Sequence, residues 1–138
     1  MPVKQLVHTL HVSSCEVDSF GHVNNAVYLQ YCERARNDYM LQVGLKFSDF
    51  EEWKAGPVLY RAELDFRRPA RVDDELNVTG VIEYSGKTRF RIVHQFLCDD
   101  HDGPVCRADL EFAFVNLETG RPCRVPAQFF AAFEVEIA

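Results

Sequence analysis

The sequence predicts an α+β fold in which one antiparallel sheet packs against one long helix, and three observations carry that reading. A run with helical periodicity extends from Asn24 or Asn25 to Val43, four later segments alternate apolar and polar residues, and the turns joining those segments are too short for parallel crossovers. An apolar sheet face and an apolar helical stripe bury one another, so the two patterns belong to one core. With 138 residues, 47% hydrophobic and 26% charged, the chain can fill one such core and has no room for a second, so residues 1–138 are expected to form a single domain.

Taken in order, residues 3–14 (VKQLVHTLHVSS) place Leu6, His8, Leu10 and Val12 on one side of an extended segment, which reads as a first strand. The helix then gathers Val27, Tyr28, Tyr31, Cys32, Ala35, Tyr39 and Val43 on one face and Gln30, Glu33, Arg34, Asn37 and Asp38 on the other. An asparagine caps its start, Gly44 suits a left-handed C-terminal residue, and Arg34 and Asp38 have the spacing of an ion pair one turn apart. Ser48 to Glu51 reads as a capping box opening a short helical turn with Phe50 and Trp53, ended by Gly56-Pro57. Four strands follow: VLYRAELDF with Val58, Tyr60, Ala62, Leu64 and Phe66 on one face, then ELNVTGVIEY, RFRIVHQFLC and VCRADLEFAFV. The turns RRPARVDD, SGK, DDHDGP and LETGRP bound them, and an apolar tail, VPAQFFAAF, closes the chain.

Charge and cysteine usage narrow the function classes. A net charge of -6 argues against nucleic acid as partner, because that affinity rests on Lys and Arg neutralising phosphates, so any anionic ligand needs a local basic patch. The five cysteines follow no CxxC spacing, and MPVKQLVHTL has no signal-peptide apolar run; together these predict reduced thiols in a cytoplasmic protein. No apolar run reaches the length of a bilayer span, so no membrane is expected as partner. The fragment SGKT is not a nucleotide loop, since Val81 stands where the first glycine is needed and the fragment joins two strands. His8 and His11 point to opposite faces of a strand and make a poor metal pair.

Residues 16–28, EVDSFGHVNNAVY, crowd polar groups into one turn before the helix. The free N–H groups of a helix's first turn stabilise an anion or a polarised carbonyl oxygen. Asp18 lies upstream on a turn tightened by Gly21, so its carboxylate can face a carbonyl whose oxygen points at the helix start, as nucleophile or as base on water. Capping and turn formation by Asp18, Gly21, Asn24 and Asn25 explain the same residues without chemistry, and His22 suits a structural hydrogen bond as well as an acid role.

The run VDSFGHVNNAVYLQYCERAR resembles the signature of the 4-hydroxybenzoyl-CoA thioesterase-like branch of the hotdog-fold acyl-CoA thioesterases, and FRRPARVDDELNV and RVPAQFFAAF resemble later parts of that family. The resemblance implies a hotdog, with the sheet wrapped around the helix, and hydrolysis of a fatty-acyl or aryl thioester of coenzyme A. It implies that Asp18 is the catalytic carboxylate and that the backbone N–H at Asn25 polarises the thioester carbonyl. His22, Asn24 and Tyr28 are placed around the acyl group, and Glu33 aligns with a helical acid although a surface role suits it better. Glu16 stands where many relatives carry a second Asp.

Coenzyme A phosphates require local cations, and Lys87 and Arg89 at the SGK turn are the first choice ahead of Arg67, Arg68 and Arg71 or Arg121 and Arg124. Phe50, Trp53 and Tyr60 suit an acyl pocket. Thioester hydrolysis of this kind needs no metal or redox cofactor. Relatives pair, so a homodimer or homotetramer with the site between subunits is expected. Two other readings keep the fold: an enoyl-CoA hydratase or dehydratase using His22 with Asp18, and a noncatalytic acyl-CoA-binding module.

Overall fold

The computed structural model describes residues 4–137. Strand β1 (Gln5–His11) leads through a 3-10 turn (Ser14–Glu16) to helix α1 (Asn25–Gln42) and a short helix α2 (Phe47–Trp53). Strands β2 (Ala55–Phe66), β3 (Glu75–Gly86), β4 (Arg89–Leu97) and β5 (Pro104–Asn116) follow, then helix α3 (Ala127–Ala132). All pairings are antiparallel, and the sheet runs β1-β3-β4-β5-β2. Val3, the first residue of the expected opening strand, lies outside the described residues.

The inner face of the sheet and one stripe of α1 make the core. Tyr28, Tyr31, Cys32, Ala35 and Tyr39 are buried on α1, against Leu76 and Val78 of β3, Phe90, Ile92 and Phe96 of β4, and Ala108, Leu110 and Phe112 of β5. Tyr39 crosses β3 at Gly80, where a Cβ would clash with the edge of the Tyr39 ring, and its hydroxyl donates to the Val78 carbonyl at 2.6 Å. Only glycine admits that approach. The His94 ring stacks on Tyr39 at 5.8 Å between centroids, with Nδ1 3.2 Å from the Thr79 carbonyl oxygen. The apolar tail folds as α3, whose Phe129 packs on Phe90 and Phe114 and plugs one end of the core.

Four local expectations are corrected. The Arg34–Asp38 pair does not form, because Asp38 accepts from Gln42 at 3.0 Å and meets His8 Nδ1 at 2.9 Å, while Arg34 reaches Glu16 at 3.6 Å. Helix α2 begins at Phe47, before Ser48; the Asp49 carboxylate accepts the Lys46 N–H at 2.7 Å, so Asp49 and not Ser48 secures that end. Lys54, left-handed at φ 55°, ends α2, and Gly56-Pro57 belongs to β2, at an edge where the missing proline N–H is tolerated. Finally, a register shift between Leu59 and Arg61 breaks the single apolar face expected of β2, leaving Val58, Tyr60 and Phe66 about half exposed (47%, 47% and 48%).

Candidate active site

The turn before α1 is built by backbone hydrogen bonds that use the Asp18 side chain as a template. Asp18 N–H donates to the His22 carbonyl at 2.7 Å, Gly21 N–H to the Asp18 carbonyl at 3.0 Å, and one carboxylate oxygen, Oδ1, accepts from Phe20 N–H (2.9 Å) and His22 N–H (3.1 Å). Gly21 sits at φ 79°, a conformation that side chains resist. Oδ2 carries no hydrogen bond among the described residues, so the turn fixes the carboxyl group and leaves one oxygen free to react.

Glu16 ties this turn to the helix. Its carboxylate accepts from the Ser13 N–H (2.9 Å) and the Tyr31 hydroxyl (2.8 Å), and its carbonyl accepts the Asn24 N–H (2.9 Å). At the start of α1 the Asn24 side chain accepts the Ala26 N–H at 3.1 Å and the Asn24 carbonyl the Val27 N–H at 2.9 Å. The Asn25 N–H, one residue ahead, is the first-turn donor left without a protein acceptor among the described residues.

Asp18 and Asn25 face one cleft of about 220 Å³, also lined by His22, Tyr28 and the segment Phe66, Arg67, Arg68 and Pro69. That segment is held in place because the Val23 N–H donates to the Ala70 carbonyl at 2.8 Å and His22 bridges Arg71. Tyr28 is buried edge-on against Phe66 and Phe96, and burial pushes its phenol up to about 12, so it stays protonated at neutral pH. A carboxylate, a free helix-start N–H and two guanidinium groups around an open cleft can bind and polarise a carbonyl on an anionic carrier.

A larger, mostly apolar cleft of about 570 Å³ opens further along α1, between α1, α2 and the start of β2. Met40, Leu45, Phe47, Phe50 and Leu117 line it, with Glu33 and Arg36 on its rim. Asn25, Leu29, Arg36 and Met40 share one side of α1, so both clefts open on the same side, with Asn25 and Glu33 roughly 12 Å apart along the axis.

The structure therefore brings Asp18, His22, Asn25 and Tyr28 together, while the Asn24 side chain is committed to the helix cap. Lys87 and Arg89 sit at the β3–β4 hairpin, at the far end of a strand on the order of 35 Å long, and within one chain they do not reach this cleft. Arg89 instead covers the Tyr60 ring at 5.1 Å. Phe50 lines the larger cleft and Trp53 packs edge-on against it. Sequence reasoning underweighted Phe66, Arg67 and Arg68, whose signal was the RRP that follows a strand immediately. It also missed Glu16 as the brace of the turn, which depends on contacts to Tyr31 and Arg34 one and more turns into the helix. All five cysteines are free, and burial pushes the Cys106 thiol up to about 12, which removes it as a nucleophile.

An antiparallel five-stranded sheet packed on one long helix, with a cleft at the helix start, defines a hotdog domain of the thioesterase type. The chain belongs to the thioesterase-like superfamily, whose description it matches over residues 12–133. It is 31% identical over 116 residues to the long-chain acyl-CoA thioesterase FadM of Escherichia coli, covering 80% of this chain and 83% of that protein. It is 28% identical over 126 residues to the chloroplastic acyl-acyl carrier protein thioesterase ATL3 of Arabidopsis thaliana, covering 90% of this chain; the match spans just under two thirds (65%) of ATL3. Among solved structures, a 1,4-dihydroxy-2-naphthoyl-CoA thioesterase from Synechocystis superposes with a TM-score of 0.86 over 94% of this chain and 96% of its own, at 20% identity, a likeness of fold.

Proposed function

We propose that the protein is an acyl-CoA thioesterase that hydrolyses a fatty-acyl or aryl thioester at the cleft between Asp18 and the start of α1. One observation carries this reading: Asp18 Oδ2 and the Asn25 N–H are both unpaired among the described residues and both face the same cleft. The thioester carbonyl oxygen accepts from the Asn25 N–H, whose polarity the helix dipole reinforces. Oδ2 then attacks the carbonyl carbon, expelling the coenzyme A thiolate and leaving a mixed anhydride that water cleaves, or it takes a proton from water that attacks instead. Single turnover in 18O-water separates the two, because label reaches the Asp18 carboxyl only by the anhydride route. His22 lies beside the reacting carbonyl, and the Asn24 cap holds the helix start in register.

The acyl group runs from Asn25 along the Leu29 side of α1 into the apolar cleft at Met40 and Phe50. Arg67 and Arg68 meet the carrier's phosphates at the cleft mouth. Lys87 and Arg89 join them from a second copy: β2 is a 12-residue edge strand with exposed Val58, Leu59, Tyr60 and Phe66, and antiparallel pairing of two such edges places the hairpin of one protomer near the Asp18 end of the other. The protein is thus read as a homodimer, or a tetramer of two such pairs. Among the described residues no helix is long and apolar enough to cross a membrane, and the free thiols fit a cytoplasmic setting.

A thiol-trapping assay across acyl-CoA esters of graded chain length and aromaticity tests the reaction. Turnover that Asp18→Asn abolishes supports it. Coenzyme A binding without thiol release makes the protein a binding module, and loss of enoyl absorbance without thiol release makes it a hydratase. Matched acyl-carrier-protein substrates decide between the two carriers for which the relatives are named.

A further inference from the structure

Behind the wall of the small cleft, three side chains of different chemistry converge at the end of the sheet. Asp74 lies in the turn before β3, and Cys98 and His101 lie in the loop between β4 and β5. A carboxylate oxygen, the Cys98 sulfur and a ring nitrogen of His101 all lie within 4.8 Å of one another. The spacing Cys-x-x-His is closed by a turn in which the His101 N–H donates to the Cys98 carbonyl at 3.0 Å. The Asp74 Oδ2 accepts the Arg71 N–H at 2.9 Å, which orients the carboxylate and leaves its other oxygen free. The His101 ring makes no hydrogen bond among the described residues. Asp73, Asp99, Asp100 and Asp102 adjoin the three in sequence, and among the described residues no Lys or Arg pairs with any of them or with Asp74.

We propose that Asp74, Cys98 and His101 bind a divalent transition-metal ion of borderline softness, zinc first, with the remaining coordination position open to solvent. Sulfur with imidazole selects against the hard ions magnesium and calcium, and one oxygen, one nitrogen and one sulfur ligand fit a tetrahedral ion with a water in fourth place. Cys98 releases its thiol proton to solvent as the metal–sulfur bond forms, so thiolate and carboxylate together cancel the ion's two positive charges. The ion joins the β4–β5 loop to the segment that carries Arg71, which in turn bridges His22 and lies next to the cleft-lining Arg68 and Pro69.

The test uses full-length protein stripped with a chelator and then titrated with Zn2+ by calorimetry and with Co2+ by absorption spectroscopy. One equivalent of either ion is expected, with a thiolate-to-Co2+ charge-transfer band in the near ultraviolet. His101→Ala, which alters a loop residue, and Asp74→Asn, which keeps the acceptor for the Arg71 N–H, should each weaken Zn2+ binding by about 100-fold or more, and Cys98→Ser should erase the band. Asp18→Asn should bind both ions like the wild type, which keeps this outcome separate from that of the proposed reaction. The site is overturned if the stripped protein takes up no stoichiometric Zn2+, if Co2+ binds without the charge-transfer band, or if His101→Ala binds as tightly as the wild type.

Discussion

The two clefts along α1 differ in how their surfaces are made. At the helix start, the surface is made by main-chain geometry: a turn templated by Asp18 Oδ1, a cap by Asn24, and an N–H left over at Asn25. At the other cleft it rests on side-chain packing, with Met40, Leu45, Phe47, Phe50 and Leu117 drawn from α1, α2, the loop between them and the chain after β5. The first surface tolerates little change in position, because a carbonyl must meet two groups at hydrogen-bond range; the second only has to stay apolar and open. The proposed function puts reaction and selectivity at opposite ends of one helix, so altering one end should leave the other unchanged.

The largest expected effect comes from the helix start. Asp18→Asn retains an oxygen for the Phe20 and His22 N–H groups but loses the charge, so kcat should fall on the order of a thousandfold with coenzyme A binding and circular dichroism unchanged. Near-normal turnover in that variant moves the chemistry elsewhere and ends the division of labour.

A buried contact outside both clefts, the His94 ring of β4 stacked on Tyr39 of α1, should govern stability alone. Burial holds the His94 imidazole down at about 4, against 6.5 for the free side chain, and its Nε2 has no partner among the described residues. The folded chain therefore keeps His94 neutral where the unfolded chain takes up a proton. The unfolded state binds more protons between pH 6.5 and about 4, so stability is full above 6.5 and declines as pH falls through that window, by about 3 kcal/mol in all. Denaturant melts of wild type and His94→Phe across this range check it: the variant should lose that part of the pH dependence, and parallel curves would remove His94 as its source.

At the apolar cleft, Met40→Trp fills space next to Phe50 and should lower kcat/KM for long-chain esters about tenfold while sparing short ones. An equal loss on all chain lengths would show that the acyl group does not travel there. The smallest effects belong to the phosphate contacts. Arg68→Ala and Lys87→Ala should each raise KM by roughly three- to tenfold with little change in kcat, exposed charge contacts contributing about 1 kcal/mol. If the two-chain reading is correct, the Lys87 effect disappears in a variant that sedimentation shows to be monomeric, such as one with Val58→Lys on the β2 edge, while the Arg68 effect persists.

Much of this was legible in the sequence. The stripe Tyr28, Tyr31, Cys32, Ala35, Tyr39 and the alternation of β3, β4 and β5 matched the buried positions, since each element packs one face against the core over most of its length. β2 was misread because it is an edge: with a bulge and no neighbour on one side, nothing forces its apolar residues inward. Asp18 and Asn25 were legible together because they belong to one local turn and helix start. Arg67 and Arg68 were seen as a cluster but ranked below Lys87, since sequence separation says nothing about which end of a sheet a turn occupies.

By itself the sequence determined the long helix and the strands, their order, the helix cap and the turn that presents Asp18, because those depend on residues within a few positions of one another. Only the tertiary structure decided which basic turn stands beside that carboxylate, that Glu16 is taken up by Tyr31 and Arg34, and that Asp74 meets Cys98 and His101. Those pairings follow from strand order and register, and they are fixed by the burial of the whole sheet against α1, an energy no short stretch of chain contains.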